Sequence, residues 1–376
     1  MNTIRWGSKG KKIKKKNGSD EVTIYSLNGC FSVKNQRYIL EDGSSTSYLA
    51  LNASMCNGQY SNKLGAFIEQ WSDDLSYEKL SILLTQTTGS EILSSSGVQS
   101  YLERRAESIS KQWLSTSQVE VKTIAVSTDI AIYKQDSEEV ILMMDDVLVK
   151  AQKPHKNIDR IAEDAKRLNT TIVLVQDTKQ NYHYATEGID KSGKVIYGIE
   201  PAIIDKVCQL HDIQKPLPLV AITDGARSIR LVLQSIFGLC VCIILDWYHL
   251  QHKVKNLMSM IAFNKKDKEL YINDLKAFLW IGNVAEAIIY IDNMDKVRNV
   301  EKQQELRTYL EKHTSEIINY DLRQRANKTI GSGRAEKAND LVVAHRQKKK
   351  GMAWSRTGSS ALAIINVNRI NNQLVA

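Results

Sequence analysis

Residues Leu219–Leu250, LVAITDGARSIRLVLQSIFGLCVCIILDWYHL, decide the reading of the fold. An apolar run from Leu219 to Ile222 ends in Thr223-Asp224-Gly225. An amphipathic segment follows, and a second apolar run from Cys240 to Leu245 ends in Asp246-Trp247-Tyr248-His249. The pattern predicts strand, helix, strand, with each strand delivering an acidic residue at its carboxyl end. In an open α/β sheet that edge is where ligands bind.

Working outward, Val140 to Met144 is apolar on both faces and runs into Asp145-Asp146 and then Val147 to Lys150, as a doubly covered central strand would. Carboxylates inside such a strand are costly unless paired, protonated or metal-bound; the plainer alternative ends the strand at Met144 and starts a turn at Asp145. Residues 171–177 and 181–187 read as two more strands, 200–213 as a helix, and Val121 to Ile132 as a further candidate strand. Three consecutive strands followed by alternating helix and strand is the order of an RNase H-like fold, an analogy of element order alone. From 250 to 330 no strand signal appears. Apolar residues recur at three- and four-residue steps, predicting an all-helical stretch with Phe278, Trp280 and Tyr290 in its core. A Gly-rich lead-in, Gly331-Ser332-Gly333, then opens a helix carrying Glu336 that ends in the basic run Lys348–Lys350.

The net charge of +9 is unevenly placed. Arg5, Lys9, Lys11, Lys12, Lys14, Lys15 and Lys16 supply +7 with no acid among residues 1–16, leaving 44 basic against 42 acidic residues elsewhere. This is a basic arm, expected to be disordered over residues 1–20, on a nearly balanced body. It is either a solvated tail or a phosphate-contacting one. No apolar core follows the N-terminal charges and no run reaches a membrane span, so neither a signal peptide nor a membrane partner is expected. Five cysteines without C-x-x-C spacing, with Cys240 and Cys242 in a buried-looking strand, fit reduced core residues and a cytoplasmic protein. A Rossmann enzyme is disfavoured by the lack of a G-x-G-x-x-G turn.

Asp145, Asp224 and Glu336 thus occupy comparable places. Like charges about 4 Å apart repel by roughly 4 kcal/mol at an effective dielectric near 20. Such a cluster calls for a proton or a divalent cation, and all-oxygen ligands favour Mg²⁺ or Mn²⁺ over zinc. Two such ions suit phosphodiester cleavage and joining. Asp246-x-x-His249 adds polar groups at the same edge, or simply caps the next helix.

The segments Met144-Asp145-Asp146-Val147, Ile222-Thr223-Asp224-Gly225-Ala226, Ile244-Leu245-Asp246-Trp247-Tyr248-His249 and Gly331-Ser332-Gly333-Arg334-Ala335-Glu336, continuing to Arg346 and Gly351-Met352-Ala353-Trp354-Ser355, together resemble the ISKra group of bacterial insertion-sequence transposases, relatives of the Mutator-like DDE transposases. The resemblance covers residues 140–372. It implies an α/β fold, an RNase H-like mixed sheet core (119–250 and 330–376) interrupted by an all-helical insertion (251–329). It implies a catalytic and metal-binding triad of Asp145, Asp224 and Glu336 holding two Mg²⁺ or Mn²⁺ ions. Asp246 and His249 match the family's (Cys/Asp)-x-x-His motif and would support the active site. Arg334, Arg346, Lys348, Lys349 and Lys350 would line DNA phosphates, the plainer alternative for the basic run being a solvated helix end, and Trp354 would pack the helix or stack on a flipped base. The family usually places Gly after the first Asp, where this chain has Asp146; Asp145 keeps the register of the motif.

Residues 21–118 match less clearly. Short strands are expected over 21–50, and two helical segments around the turn Thr87-Thr88-Gly89-Ser90 resemble a helix-turn-helix. In it Gln99, Ser100, Arg104 and Arg105 would face DNA. The expectation is a DNA transposase that binds its element's ends, hydrolyses phosphodiesters there and transfers 3′-hydroxyl ends to target DNA. It would act in the cytoplasm at the nucleoid, as a homo-oligomer on paired ends. The alternatives are an RNase H-like nuclease that does not join strands and a repurposed transposase that only binds DNA.

Overall fold

The computed structural model describes residues 13–52, 55–56, 59–117, 123–153, 166–212 and 214–373. Its first feature is a long hairpin of β1 (Ile13–Ser26) and β2 (Gly29–Leu40), closed by a turn in which Gly29 takes φ +108°. The two strands pair antiparallel from Ile13 opposite Leu40 to Ser26 opposite Gly29. This corrects the expected disordered arm: residues 13–20 lie in the ladder, and 1–12 lie outside the described residues. Lys14 to Lys16 are exposed, so their charges stay hydrated while the ladder satisfies the backbone; Asp20 pairs with Arg37. β3 (Ser45–Ser47), α1 (Tyr48–Asn52), β4 (Met55–Cys56) and β5 (Tyr60–Ser61) complete a sheet of order β3-β2-β1-β5-β4.

Three serine-capped helices follow. In α2 (Asn62–Trp71), α3 (Tyr77–Thr88) and α4 (Ser95–Thr116), the hydroxyls of Ser61, Ser76 and Ser94 accept from the backbone N–H of Leu64, Lys79 and Gly97. Each cap satisfies a donor that the first helical turn leaves free. α3 stops at Gly89, which adopts the left-handed conformation.

The second sheet holds the centre of the molecule. It contains β6 (Val140–Lys150), β7 (Arg167–Gln176) and β8 (Tyr182–Ala185); the small hairpin β9 (Gly188–Ile189) and β10 (Val195–Tyr197) and helix α5 (Ile199–Leu210) lie between β8 and β11 (Leu219–Thr223). Helix α6 (Arg227–Phe237) then leads to β12 (Cys242–Leu245). The order is β12-β11-β6-β7-β8; β6, β11 and β12 are parallel, and β7 is antiparallel to both β6 and β8. Strand periodicity divides β6 between two apolar layers: Val140, Leu142 and Met144 join the layer containing α5 and α6, while Ile141, Met143, Val147 and Val149 join the other. No strand forms over 123–132. Val126 only bridges Leu217, and Ile124 is buried in the α5–α6 layer, so its apolar surface packs without a ladder. Cys240 is exposed and precedes the strand, and Cys242 is half-buried, so neither is the core residue expected.

Helices α7 (Trp247–Ile261), α8 (Lys265–Trp280), α9 (Val284–Asp292), α10 (Val300–Lys312) and α11 (Tyr320–Arg325) come next, with no strand among the described residues. Trp247, Trp280 and Tyr320 pack ring to ring at 4.9–6.2 Å, and Phe278 meets Tyr290 at 5.9 Å. At the α8–α9 turn, Gly282 has φ +76°, and a Cβ there would fall 2.8 Å from the Ile318 carbonyl carbon and 2.9 Å from the Asn319 nitrogen. Gly282→Ala is therefore expected to cost about 2–3 kcal/mol, measured by urea unfolding. Gly89→Ala, at φ +74° with open space around it, should cost about 1 kcal/mol. Equal losses would show that the backbone contact is immaterial.

The chain ends with α12 (Gly333–Asn339), a π-helical turn over Asp340–Ala344, the short α13 (His345–Gln347) and α14 (Arg356–Gln373). α12 lies on β6 and β7, and α14 packs along α4.

Candidate active site

β11 and β6 are in register with Ile222 opposite Met143. Two residues further along each chain, Asp145 in the middle of β6 comes level with Asp224, which lies just past the carboxyl end of β11. Asp145 is inside its strand, paired with Ile172, not in a turn. Its Oδ1 accepts from the Asp146 N–H at 2.8 Å and its Oδ2 from Asn339 Nδ2 at 2.6 Å. Burial pushes the Asp145 carboxyl up from its ordinary pKa; the charge of Asp224 adds to this, while its hydrogen bonds and His249 oppose it. Asp224 turns its Oδ1 to the Ala226 N–H at 2.8 Å. Gly225 then takes φ +88°; a Cβ there would meet His313 Cε1 at 2.9 Å and Leu245 Cδ1 at 3.0 Å, so glycine lets the turn close.

Strand alternation separates the two adjacent aspartates. Asp145 faces Asn339, Asp224 and His249. Asp146 is exposed, accepts from Thr171 Oγ1 at 2.6 Å, and adds to the upward push that burial exerts on the Glu187 carboxyl.

Asp246 is 1% exposed and caps α7 with Oδ1, accepting from the N–H groups of Tyr248 at 2.6 Å and His249 at 3.0 Å. Its Oδ2 accepts from the N–H and the hydroxyl of Ser332, tying β12 to the loop that starts α12. Burial pushes this carboxyl up, but the hydrogen bonds from His249 and Ser332 outweigh burial and hold it at about 2. His249 Nδ1 lies 3.3 Å from Asp246 Oδ2. Asp246 raises the pKa of the imidazole against the effect of its burial, and Asp224 and Glu336 raise it further. His249 thus sits in the field of three carboxylates contributed by the end of β11, the end of β12 and α12. Glu336 itself is exposed.

The hard-oxygen donors fit Mg²⁺ or Mn²⁺ by type and by charge. Among the described residues, however, no three His, Cys, Asp or Glu side chains converge in one coordination sphere.

Of the residues expected at DNA, Arg334 is committed to Gln176 Oε1 at 2.7 Å, with its guanidinium over the Tyr182 ring at 5.0 Å. Lys348, Lys349 and Lys350 are exposed, and Lys349 Nζ donates to the Asp74 carbonyl at 3.1 Å. Arg346 is 2% exposed and stacks on Trp354, a core residue whose Nε1 donates to the Gln347 carbonyl; Arg346 does not line a surface. The helix-turn-helix reading is also corrected in part. α4 buries Val98, Tyr101, Leu102, Ala106 and Ile109, packing on α3 and α14 as a core helix. Arg105 pairs with Glu69 at 2.8 Å, Arg104 reaches the Tyr60 hydroxyl at 3.2 Å, and Gln99 bonds Glu103. Of the proposed reading face only Ser100 carries no such side-chain bond.

Sequence reasoning passed over Ser332, Asn339 and the group in which half-buried Arg230 meets buried Glu316 and His313. Glu316 receives Arg230 at 2.6 Å and His313 Nδ1 at 2.6 Å, which sets the imidazole against Gly225. Asn339 lies three residues after Glu336, a spacing that shares a helix face; His313 carried no local signal. Comparison with models of protein families and with curated proteins finds no match for this chain.

Proposed function

We propose that this chain is a DDE-type DNA transposase with an RNase H-like catalytic core (119–250 and 330–376), an all-helical insertion (251–329) and an N-terminal region that contributes to DNA binding. One observation carries the reading: Asp145 and Asp224 come level on adjacent parallel strands, and Asp246 fastens the Glu336 helix to the same edge through Ser332. The element order of the central sheet supports it, with two antiparallel steps before two helix crossovers. The opposite orientation of Asp146 also supports it, since that residue does not crowd Asp145.

Asp145 and Asp224 are the paired donors, and with Glu336 brought onto them from α12, since the three do not share one coordination sphere as they stand, they would hold Mg²⁺ or Mn²⁺ ions, which when bound would polarise the phosphodiester and activate the attacking hydroxyl. The chain's own contribution is positional. Asn339 orients Asp145, His313 and Leu245 pack the Asp224 turn, and Asp246 sets α12. Asp246, Asp224 and Glu336 favour the protonated form of His249, and that form would offset part of their mutual repulsion. Lys348 to Lys350 would meet DNA phosphates. The protein would act on nucleoid DNA in the cytoplasm as a homo-oligomer; no helix among the described residues is long and apolar enough to cross a membrane.

The test incubates DNA carrying the segments that flank the gene with Mg²⁺ or Mn²⁺ and compares wild type with Asp224→Asn. Strand nicking at the ends and joined products are expected, with the variant slower by on the order of 10³-fold, the scale of losing one electrostatic stabiliser in a shielded site. Nicking without joining in wild type would mark a nuclease. Specific binding that survives EDTA without any cleavage would mark a DNA-binding protein.

A further inference from the structure

Tyr248 stands in the first turn of α7, between Asp246 and His249 in sequence. Its backbone is fixed, because its N–H donates to Asp246 Oδ1 at 2.6 Å beside the bond from the His249 N–H. The apolar residues around it on α7 turn inward, with Trp247 6% exposed and Leu250 and Val254 fully buried. Tyr248 turns outward and is 61% exposed, and no described aromatic side chain is more exposed. Its hydroxyl makes no hydrogen bond among the described residues.

The ring is nevertheless seated. Gly331 is buried in the loop that leads to α12, and a Cβ there would fall 2.5 Å from Tyr248 Cδ2 and 2.7 Å from Cε2. An edge of the ring therefore occupies the volume that any other side chain at 331 would need. Gly331 is not among the glycines at positive φ, so this close approach, and not the backbone conformation, is what calls for glycine. The next residue, Ser332, bonds Asp246 Oδ2. The ring thus sits where the start of α7 meets the loop that carries α12 and Glu336, with most of its surface open to water.

A lone exposed ring is ordinary on a protein surface; the place of this one is not. Asp224, Asp246 and Glu336 act together on His249, the residue after Tyr248, and Asp224 acts on Asp145. A phosphate backbone gains no Coulomb attraction in such a field until cations bind. A neutral aromatic face is the contact that the field does not oppose, and every base presents a π-face to it. We propose that Tyr248 is the platform on which a nucleobase next to the scissile phosphodiester stacks, and that Gly331 is the residue that lets the ring take this place. The choice of DNA as the occupant rests on the transposase reading. The ring alone makes the contact, so phenylalanine serves in place of tyrosine and alanine does not.

The test binds DNA carrying the segments that flank the gene in the presence of Ca²⁺, which occupies oxygen sites without the octahedral demand of Mg²⁺, and follows affinity and Tm. Tyr248→Ala should weaken binding by roughly 5- to 100-fold, the scale of one base–aromatic stack, and Tyr248→Phe should stay within about twofold of wild type. Tm should be unchanged in both, since the ring is mostly exposed. Gly331→Ala displaces the ring and should weaken binding as well; added to Tyr248→Ala it should weaken it no further, because the ring through which it acts is gone. Unchanged affinity in Tyr248→Ala, losses of the two variants that add, or a loss of affinity that only follows a loss of Tm overturns the platform. In a second measurement 5-iodouracil is placed in turn along the same DNA and irradiated. A crosslink to the peptide holding Tyr248 is expected in wild type, and its absence at every position overturns the proposal; this needs no variant and decides the matter if Tyr248→Ala does not fold. Neither measurement requires a cut strand. A crosslinked, Tyr248-dependent complex without cleavage in Mg²⁺ would overturn the transposase reading and keep the platform, whereas nicking and joining with unchanged binding in Tyr248→Ala would do the reverse.

Discussion

Replacing Asp246 by alanine is expected to remove about 3–5 kcal/mol of folding stability. The carboxylate is buried and accepts four hydrogen bonds: from the backbone N–H groups of Tyr248 and His249 at the start of α7, and from the N–H and hydroxyl of Ser332 before α12. Alanine offers no acceptor to any of them and leaves His249 beside an empty site. Each buried donor left unpaired costs about 1–3 kcal/mol, and local relaxation keeps the total below the sum. Urea unfolding at pH 7 measures the loss; a change under about 1 kcal/mol would mean that Ser332 is not held by this carboxylate. The pH dependence has a defined sign. The folded pKa of Asp246, about 2, lies below its ordinary 3.8. Its contribution is therefore complete above roughly pH 4 and is lost as pH falls toward 2. At 1.36 kcal/mol per unit, this is about 2–3 kcal/mol of acid sensitivity, and the acid limb of the stability profile should be shallower in Asp246→Asn. His249 works in the opposite direction: its pKa is raised, so its contribution is present at low pH and fades as pH rises through the folded value. Asp246→Ala should also lower any metal-dependent cleavage beyond its effect on stability, because α12 carries Glu336.

Arg323→Met is expected to destabilise by about 3–5 kcal/mol, as breaking a buried ion pair does. The guanidinium is fully buried and makes four hydrogen bonds: Nη1 and Nη2 meet Glu139 at 3.2 and 2.9 Å, Nε donates to the Thr329 carbonyl at 2.7 Å, and Nη1 donates to the Ile132 carbonyl at 3.0 Å. Lys328 Nζ also reaches Glu139, at 2.9 Å. Methionine fills much of the volume but leaves two carbonyls unmet and Glu139 with one cation. These contacts join the segment before β6 to the segment after α11, which leads into α12. The double-mutant cycle of Arg323→Met with Glu139→Gln should give a coupling of roughly 1–3 kcal/mol. Strict additivity would sink the idea that the pair acts as one clamp.

The strands of the central sheet were legible because apolar runs on both faces have few other uses, and the acids at their ends stood out against them. The pattern placed Asp145, Asp224, Asp246 and Glu336 on elements that do exist at those positions. It could not choose between Asp145 and Asp146, since only the pairing partner on β7 and the neighbour on β11 show which face each one takes. Local periodicity also misled. α3, Gly89 and α4 make a helix pair, but α4 is a core helix packed on α14, more than two hundred residues later in the chain. The lysines of β1 suggested an unpaired arm, although a strand exposed on its surface carries hydrated charges without penalty.

Composition and periodicity thus determined the α/β class, the position of the helical stretch after β12, and which acids stand on or just past the strands, because hydrophobic burial is written locally in every two or four residues. Only the tertiary structure decided what each polar group meets. Ser332 on Asp246, Asn339 on Asp145, His313 against Gly225, and Tyr248 against Gly331 all depend on contacts between segments distant in the chain. A polar side chain takes its role from its partner, and no local pattern records a partner that arrives from another part of the chain.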